Sequence, residues 1–127
     1  MQKILLDTNF LLIPAQFNVD IFSEINRIML ENYQLYILDK TIDELKKIIK
    51  DKKQKQKHKR AASLALQLIK AKDLKILRTK QDLPVDDLIV NLKGYIVATQ
   101  DMGLKRRLKS KKVKIIILRA KKKLVFT

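Results

Sequence analysis

The chain has 127 residues, no cysteine, and a formal charge of +16 from 29 lysine and arginine against 13 aspartate and glutamate residues. The lack of cysteine excludes disulfides, thiolate metal sites and a cysteine nucleophile, and the single histidine, His58 in a lysine run, argues against a multi-histidine metal site. A positive charge of this size predicts a polyanionic partner, with nucleic acid favoured over a membrane surface.

The length predicts one domain over residues 1–127, large enough to bury an apolar core. No apolar run reaches the roughly 18 residues of a membrane-spanning helix, and the first residues lack the pattern of a secretory signal. We therefore expect a cytoplasmic protein without a membrane partner. An uncovered apolar helix face could support a homodimer.

The first predicted element is a buried strand that ends at Leu6 and is followed directly by Asp7, Thr8 and Asn9. Ligands of open parallel α/β sheets bind beyond the carboxyl ends of the strands, which places Asp7 where a site would be expected. The alternative is that one of these three polar side chains only caps the following helix.

The rest of the chain alternates apolar residues at helical spacing with short apolar runs. Further strands are predicted at residues 34–38, 74–77, 95–99 and 113–118, and helices at residues 20–30, 41–49, 61–71, 84–92 and 103–109. Strands separated by helices imply right-handed crossovers. The predicted fold class is α/β, a three-layer α/β/α sandwich with a central, mostly parallel sheet of five strands, to which residues 121–127 could add an edge strand.

Acidic residues lie near the ends of the predicted strands. Glu44 is in the helix after the second strand, Asp86 and Asp87 begin the helix before the fourth strand, and Asp101 lies just beyond the fourth strand. If the first and fourth strands are neighbours, these carboxylates converge with Asp7 on one crevice. Such a cluster requires a divalent cation or raised pKa values, and all-oxygen ligands suit Mg²⁺ or Mn²⁺ and the hydrolysis of a phosphodiester.

Each carboxylate also has a purely structural explanation. Thr41 and Glu44 have the spacing of a helix capping box, the two aspartates at 86 and 87 favour a helix dipole, and Asp101 could cap the next helix. None of these explanations requires the carboxylates to converge.

Four segments in this order resemble the successive motifs of the PIN-domain nucleases: Leu6-Asp7-Thr8-Asn9-Phe10, Thr41-Ile42-Asp43-Glu44-Leu45, Asp86-Asp87-Leu88-Ile89-Val90, and Tyr95-Ile96-Val97-Ala98-Thr99-Gln100-Asp101 followed by Leu104-Lys105-Arg106-Arg107-Leu108. The last block is most similar to the PIN endonucleases of small-subunit ribosomal RNA processing and their archaeal relatives. The resemblance implies a PIN-like fold and a Mg²⁺- or Mn²⁺-dependent RNA endonuclease.

The resemblance also implies roles for particular residues. The implied catalytic metal ligands are Asp7, Glu44, Asp87 and Asp101. The implied supporting hydrogen-bonding residues are Thr8, Asn9 and Thr99, and Asp86 is the adjacent alternative for the third ligand.

Most of the positive charge lies in two segments, residues 46–60 and residues 105–123. The first segment could simply be a solvated face. The second suggests a basic border beside the acidic site, so Lys105, Arg106, Arg107 and Lys109 are predicted to bind RNA phosphates with an affinity that falls steeply with salt.

The sequence therefore predicts a metal-dependent endoribonuclease, with ribosomal RNA as the substrate implied by the resemblance. One alternative keeps the RNA binding without catalysis and makes the protein a ribosome assembly factor. The other is a PIN-type toxin of a toxin–antitoxin pair, which shares the fold.

Overall fold

The computed structural model describes residues 1–127 and contains six strands and seven helices. The strands are β1 (Gln2–Leu6), β2 (Tyr33–Leu38), β3 (Lys75–Leu77), β4 (Ile96–Ala98), β5 (Ile115–Arg119) and β6 (Lys123–Phe126). The helices are α1 (Thr8–Leu11), α2 (Ile13–Phe17), α3 (Ile21–Ile28), α4 (Asp39–Lys50), α5 (Gln56–Ala71), α6 (Val85–Asn91) and α7 (Met102–Ser110). None of the helices combines the length and apolar composition that crossing a bilayer requires.

The six strands form one sheet in the order β3-β2-β1-β4-β5-β6. β1 pairs in parallel with both β2 and β4, with Ile4 opposite Ile96 and Leu6 opposite Ala98. The strand order therefore reverses between β1 and β4, and a crevice opens beyond their carboxyl ends. The condition set by the sequence analysis, that the first and fourth strands are neighbours, is therefore met.

Helices cover both faces of the sheet, which confirms the three-layer α/β/α sandwich. Ile4 and Leu6 of β1 belong to a large apolar cluster with residues of α1 to α5, whereas Leu5 belongs to a second cluster with residues of α6 and α7. This division follows from the alternation of side chains along a strand. Because both faces of β1 are buried from Ile4 to Leu6, that part of its sequence is continuously apolar rather than alternating.

The structure differs from the predicted elements at three places. The C-terminal residues add β6, which pairs antiparallel with β5 and makes a sheet of six strands instead of five. The helix predicted at residues 61–71 begins earlier, at Gln56, so the basic segment at residues 46–60 contains the end of α4, a short connection and the start of α5. The predicted capping box is wrong, because α4 begins at Asp39 and Thr41 is buried inside its first turn.

The turn between β5 and β6 holds two residues in the left-handed region, Ala120 at φ 54° and Lys121 at φ 56°. They lie between the paired residues Arg119 and Lys123. With Lys122 they form a three-residue connection, in which the Lys122 N–H donates to the Arg119 carbonyl at 3.1 Å. A hairpin turn with positive φ at both central positions fits the right-handed twist of the strands but favours Asn and Gly. The left-handed conformation costs about 1–2 kcal/mol for an ordinary L-residue.

We therefore expect Ala120→Gly to raise the free energy of unfolding by about 0.5–1 kcal/mol, because the relief of strain exceeds the entropic cost of glycine. Ala15→Gly, at an exposed position of α2, is the matched control and should lower stability by about 1 kcal/mol. Urea denaturation measures both changes. Equal destabilisation by the two substitutions would contradict the assignment of strain to the turn.

Candidate active site

Asp7 lies where β1 ends and α1 begins, and only 7% of its surface is exposed. Its N–H donates to the Ala98 carbonyl of β4 at 3.0 Å. Its Oδ1 accepts from the Thr8 N–H at 2.8 Å, and its Oδ2 accepts from the Thr99 hydroxyl at 2.9 Å. Asp7 thus caps α1 with one oxygen, as the structural explanation predicted, while β4 fixes the other oxygen at the switch point of the sheet.

Thr99 connects Asp7 to Asp101. The Thr99 side chain is fully buried, and its hydroxyl oxygen accepts from the Asp101 N–H at 3.1 Å while the same hydroxyl donates to Asp7. Asp101 caps α7 through Oδ1, which accepts from the Leu104 N–H at 2.9 Å, and its Oδ2 makes no hydrogen bond. The predicted capping role of Asp101 is confirmed, and it leaves one carboxylate oxygen free.

Glu44 is joined to the same region through Thr8. The Thr8 hydroxyl donates to Glu44 Oε1 at 2.9 Å and lies 3.1 Å from the hydroxyl of Thr41. Both threonines are buried, and Glu44 is half-buried one helical turn after Thr41 on α4. Thr41 therefore does not cap a helix. It contacts the Thr8 hydroxyl, which binds Glu44. The three-residue spacing that suggested a capping box also places Thr41 and Glu44 on one face of the helix.

Asp86 is electrostatically coupled to the other carboxylates. Burial, followed by the charge of Asp101, raises the pKa of Asp86 above its usual range, and the nearby Arg107 only partly opposes this. Burial also raises the pKa of Asp7, against the hydrogen bonds from Thr99 and Thr8, and the charges of Asp86 and Glu44 add to the increase. The structure thus links these carboxylates in pairs: the charges of Glu44 and Asp86 act on Asp7, and the charge of Asp101 acts on Asp86.

Asp87 has a different environment. Its Oδ1 lies 2.8 Å from Nη2 of Arg107, and both side chains of this ion pair are substantially exposed. Exposed pairs of this kind contribute at most about 1 kcal/mol to stability. Asp87 is therefore neutralised by Arg107 of α7. Asp86, one position earlier, has no cation at salt-bridge distance.

The loop before α6 leads into Asp86, and the first turn of α4 binds that loop. Asp39 accepts from the N–H and the hydroxyl of Thr79, at 3.1 and 2.8 Å, and Lys40 Nζ donates to the Leu83 carbonyl at 3.0 Å. Partial burial acts to raise the pKa of Asp39, but these hydrogen bonds outweigh it and the pKa lies below its usual range. Sequence reasoning missed this clamp because its partners are some forty residues apart and carry no local pattern.

The basic residues predicted to bind RNA lie on α7, which begins at the site. Leu104 and Leu108 form its buried side, while Arg106 and Lys109 are exposed and Lys105 is half-buried. Arg107 is the partner of Asp87. Asn9, predicted to support the site, is exposed on α1 and makes no hydrogen bond to the carboxylates. Phosphate binding by the basic residues of α7 remains a prediction.

The carboxylates of the site could hold a divalent ion only together with other ligands. As arranged, no three carboxylates come together closely enough to form a complete metal site. The ligands are nevertheless all oxygen, and Mg²⁺ is typically held by one or two carboxylates together with water and phosphate oxygens, rather than by a full protein cage. The charge of Asp86 raises the pKa of Asp7, the charge of Asp101 raises the pKa of Asp86, and none of the three has a cation at salt-bridge distance. One or two of these carboxylates, completed by water and phosphate oxygens, fit such an ion.

The raised pKa of Asp7 makes the stability of the metal-free protein depend on pH. The folded state binds this proton more tightly than the unfolded chain, so the contribution of Asp7 to stability declines as pH rises from its ordinary pKa of 3.8 through the raised folded value. We expect Asp7→Asn to become progressively more stable than the wild-type protein across this window. Urea denaturation of both proteins in chelator, from acidic to neutral pH, measures the difference, and a difference that does not change with pH would contradict the expectation.

Comparison with known proteins gave concordant results. A family model described as “PIN like domain” matches residues 4–121. A relative, Ribonuclease VapC4 of Methanocaldococcus jannaschii, is 32% identical over 126 residues, which cover 96% of this chain and 94% of the relative. The solved structure of the PIN domain endonuclease Utp24 is similar with a TM-score of 0.78 at 25% identity, covering 98% of this chain and 90% of that one. A domain of a functionally unknown protein from M. jannaschii shares the fold, with a TM-score of 0.59 at 15% identity and coverage of 94% and 93%.

Proposed function

The chain belongs to the PIN-like domain family, and from this membership we propose that it is a divalent-metal-dependent endoribonuclease. The observation that carries the proposal is the environment of Asp7, which is buried at the switch point of the sheet, bonded to Thr99, and within range of the charges of Asp86 and Glu44. Carboxylates from four separate segments would have no reason to converge in a protein of charge +16 if each only capped a helix.

The proposed metal ligands are Asp7, Glu44, Asp86 and Asp101, and the ion is Mg²⁺ or Mn²⁺. Asp86 replaces Asp87 as the third ligand because Asp86 is coupled to Asp101 and Asp7, whereas Asp87 is paired with Arg107. When bound there, the ion would act as a Lewis acid on a phosphate and lower the pKa of a water molecule.

The other residues of the site orient these carboxylates. Thr99 donates to Asp7 Oδ2 and accepts from the Asp101 N–H, so it fixes the distance between two ligands on neighbouring strands. Thr8 donates to Glu44 and keeps that flexible side chain turned toward β1. Asn9 is exposed beside them and is free to hydrogen-bond to the RNA.

Two alternative functions, a toxin and a ribosome assembly factor, have separate tests. The likeness to Ribonuclease VapC4 supports a toxin of a toxin–antitoxin pair, and the likeness to Utp24 is compatible with a role on ribosomal RNA. Expression that arrests growth, and a neighbouring small protein that relieves the arrest, would favour the toxin. Crosslinking in cells that recovers ribosomal RNA without any cleavage would favour the assembly factor.

The experiment that tests the proposal is incubation of the purified protein with single-stranded and structured RNA in Mn²⁺, in Mg²⁺ and in chelator. Cleavage that needs the ion and yields new internal ends is expected. Binding without cleavage under all three conditions would contradict the proposal and leave the non-catalytic reading.

The contribution of α7 to RNA binding is tested by Arg106→Ala with Lys109→Ala. Each phosphate contact to a single strand contributes about 0.7 to the slope of log affinity against log salt, so the double substitution should reduce that slope by about 1.4. Lys52→Ala with Lys53→Ala removes the same charge from the break between α4 and α5 and serves as the control. An equal effect of both pairs, measured by fluorescence anisotropy in chelator, would mean that α7 has no special role.

A further inference from the structure

A groove beside the acidic site has no assigned role. It is lined by Asn9, Leu12, Ile13, Gln16, Phe17 and Gln100 and has a volume of about 300 Å³. Asn9 lies two positions after Asp7 on α1, and Gln100 lies between Thr99 and Asp101, so the groove is lined by the segments that follow the carboxyl ends of β1 and β4. No charged side chain lines it.

The groove has an apolar floor and polar amide edges. Ile13 is buried and Leu12 is half-buried, whereas Phe17 at the end of α2 leaves 37% of its surface exposed. A large exposed aromatic ring beside a site is a surface on which a planar group can stack. Asn9 and Gln16 are exposed, and their side-chain amides, unlike their backbone groups, make no hydrogen bond within the protein, so both amides are free to bind a ligand.

Gln100 supplies a hydrogen-bond donor of fixed orientation. Its Oε1 accepts from the Leu118 N–H of β5 at 2.8 Å. Because a backbone N–H can only donate, the oxygen of the amide must face β5, and this identifies the nitrogen as the other atom. That nitrogen makes no hydrogen bond within the protein, so the groove presents an NH₂ group held in place by the sheet.

We infer that this groove binds one unpaired nucleobase of the RNA next to the scissile phosphate. Stacking on Phe17 and hydrogen bonds from neutral amides suit a planar heterocycle with donors and acceptors on its edge, whereas a phosphate would require cations. The Lys121 Nζ lies over the Phe17 ring at 5.8 Å from its centroid, so a base that stacks on this face takes the place of the ammonium. The displaced lysine is then free to bind a phosphate of the same RNA. A base in a duplex presents no free face, which makes the substrate single-stranded at this position.

The inference rests on the proposed function, and an abasic scan separates the two. A single-stranded RNA is prepared with the base removed at one position at a time, and kcat/KM is measured for the wild-type protein and for Phe17→Ala. One abasic position near the cleaved bond should lower cleavage by the wild-type protein about tenfold, in the range of one stacked base. The kcat/KM of Phe17→Ala on the intact RNA should be about tenfold lower than that of the wild-type protein. Removing the base at the sensitive position should not lower it further.

Phe17→Tyr keeps the ring and should restore the response to the abasic position. Leu30→Ala, which removes an apolar side chain that is 99% exposed and outside the groove, should behave as the wild-type protein does. Thermal melting of all variants checks folding. If the fold-loss in kcat/KM caused by Phe17→Ala is the same on the intact RNA and on every abasic RNA, Phe17 contacts no particular base. That result would overturn the inference.

The same scan is repeated in chelator with fluorescence anisotropy, where only binding is measured. Coupling between Phe17 and one base in binding, without cleavage in metal, would keep the groove and overturn the proposed nuclease. Cleavage in metal without coupling at any position would keep the nuclease and overturn the groove.

Discussion

Asp7→Asn is expected to lower RNA cleavage by at least about 100-fold, since even residues that only orient a metal ligand typically cost 10- to 100-fold when removed. The same substitution is expected to raise the stability of the metal-free protein. Asp7 is a buried carboxylate whose ionised form is opposed by burial and by the charges of Asp86 and Glu44. An asparagine removes that cost while its amide can still accept from the Thr8 N–H and donate to the Thr99 hydroxyl.

The two effects are measured together, by kcat/KM in Mn²⁺ and by urea denaturation in chelator. Asp43→Asn is the control, because Asp43 is an exposed carboxylate on α4 next to Glu44 and outside the proposed site. Its activity and stability should stay close to those of the wild-type protein. Loss of activity with loss of stability in Asp7→Asn would indicate that the carboxylate holds the fold together, and retained activity would remove it from the metal site.

Asp86→Asn is expected to lower cleavage by about 100-fold, whereas Asp87→Asn is expected to change it less than about fivefold. The two residues are adjacent on the first turn of α6, so the substitutions are matched in chemistry and in position. The difference arises because Asp86 is coupled to Asp101, while Asp87 is in an exposed ion pair with Arg107.

The substitution of Asp87 has a second consequence, because it releases Arg107 from its carboxylate partner. A free guanidinium on α7 adds a cation near the RNA, so KM should fall slightly while kcat is unchanged. The reverse ranking, with Asp87→Asn inactive and Asp86→Asn active, would restore the third ligand that the family resemblance implies. Equal loss in both would point to the position of α6 rather than to either carboxylate.

The architecture could be predicted from the sequence because strands buried on both faces have short, continuous apolar sequences. In β1, for example, Leu5 packs against α6 and α7 while Ile4 and Leu6 pack on the opposite face, so the buried half of the strand is an unbroken apolar run. The sequence could state the adjacency of the first and fourth strands only as a condition, because strand order depends on long-range pairing. It could offer β6 only as an alternative, because the turn at Ala120-Lys121 lacks the usual Asn and Gly.

The candidate site could be predicted in outline but not in its contacts. A carboxylate at the end of a strand or the start of a helix can be found from its position in the sequence, whether or not it also caps the helix, as Asp101 does. The sequence could not tell Asp86 from Asp87, because the difference lies in their long-range partners: the charge of Asp101 raises the pKa of Asp86, whereas Asp87 pairs with Arg107. The contacts of Asp39 and Lys40 with the loop before α6 are equally long-range and have no local sequence pattern.

The most direct test of the central claim is the position of a divalent ion in a crystal of the protein grown with Mn²⁺, located by anomalous scattering. Density between Asp7, Asp86 and Asp101 is predicted, with Glu44 reaching the ion directly or through water. A fully ordered site with no anomalous density, or an ion bound only at a carboxylate outside this group, would contradict the proposal that these residues form the catalytic centre.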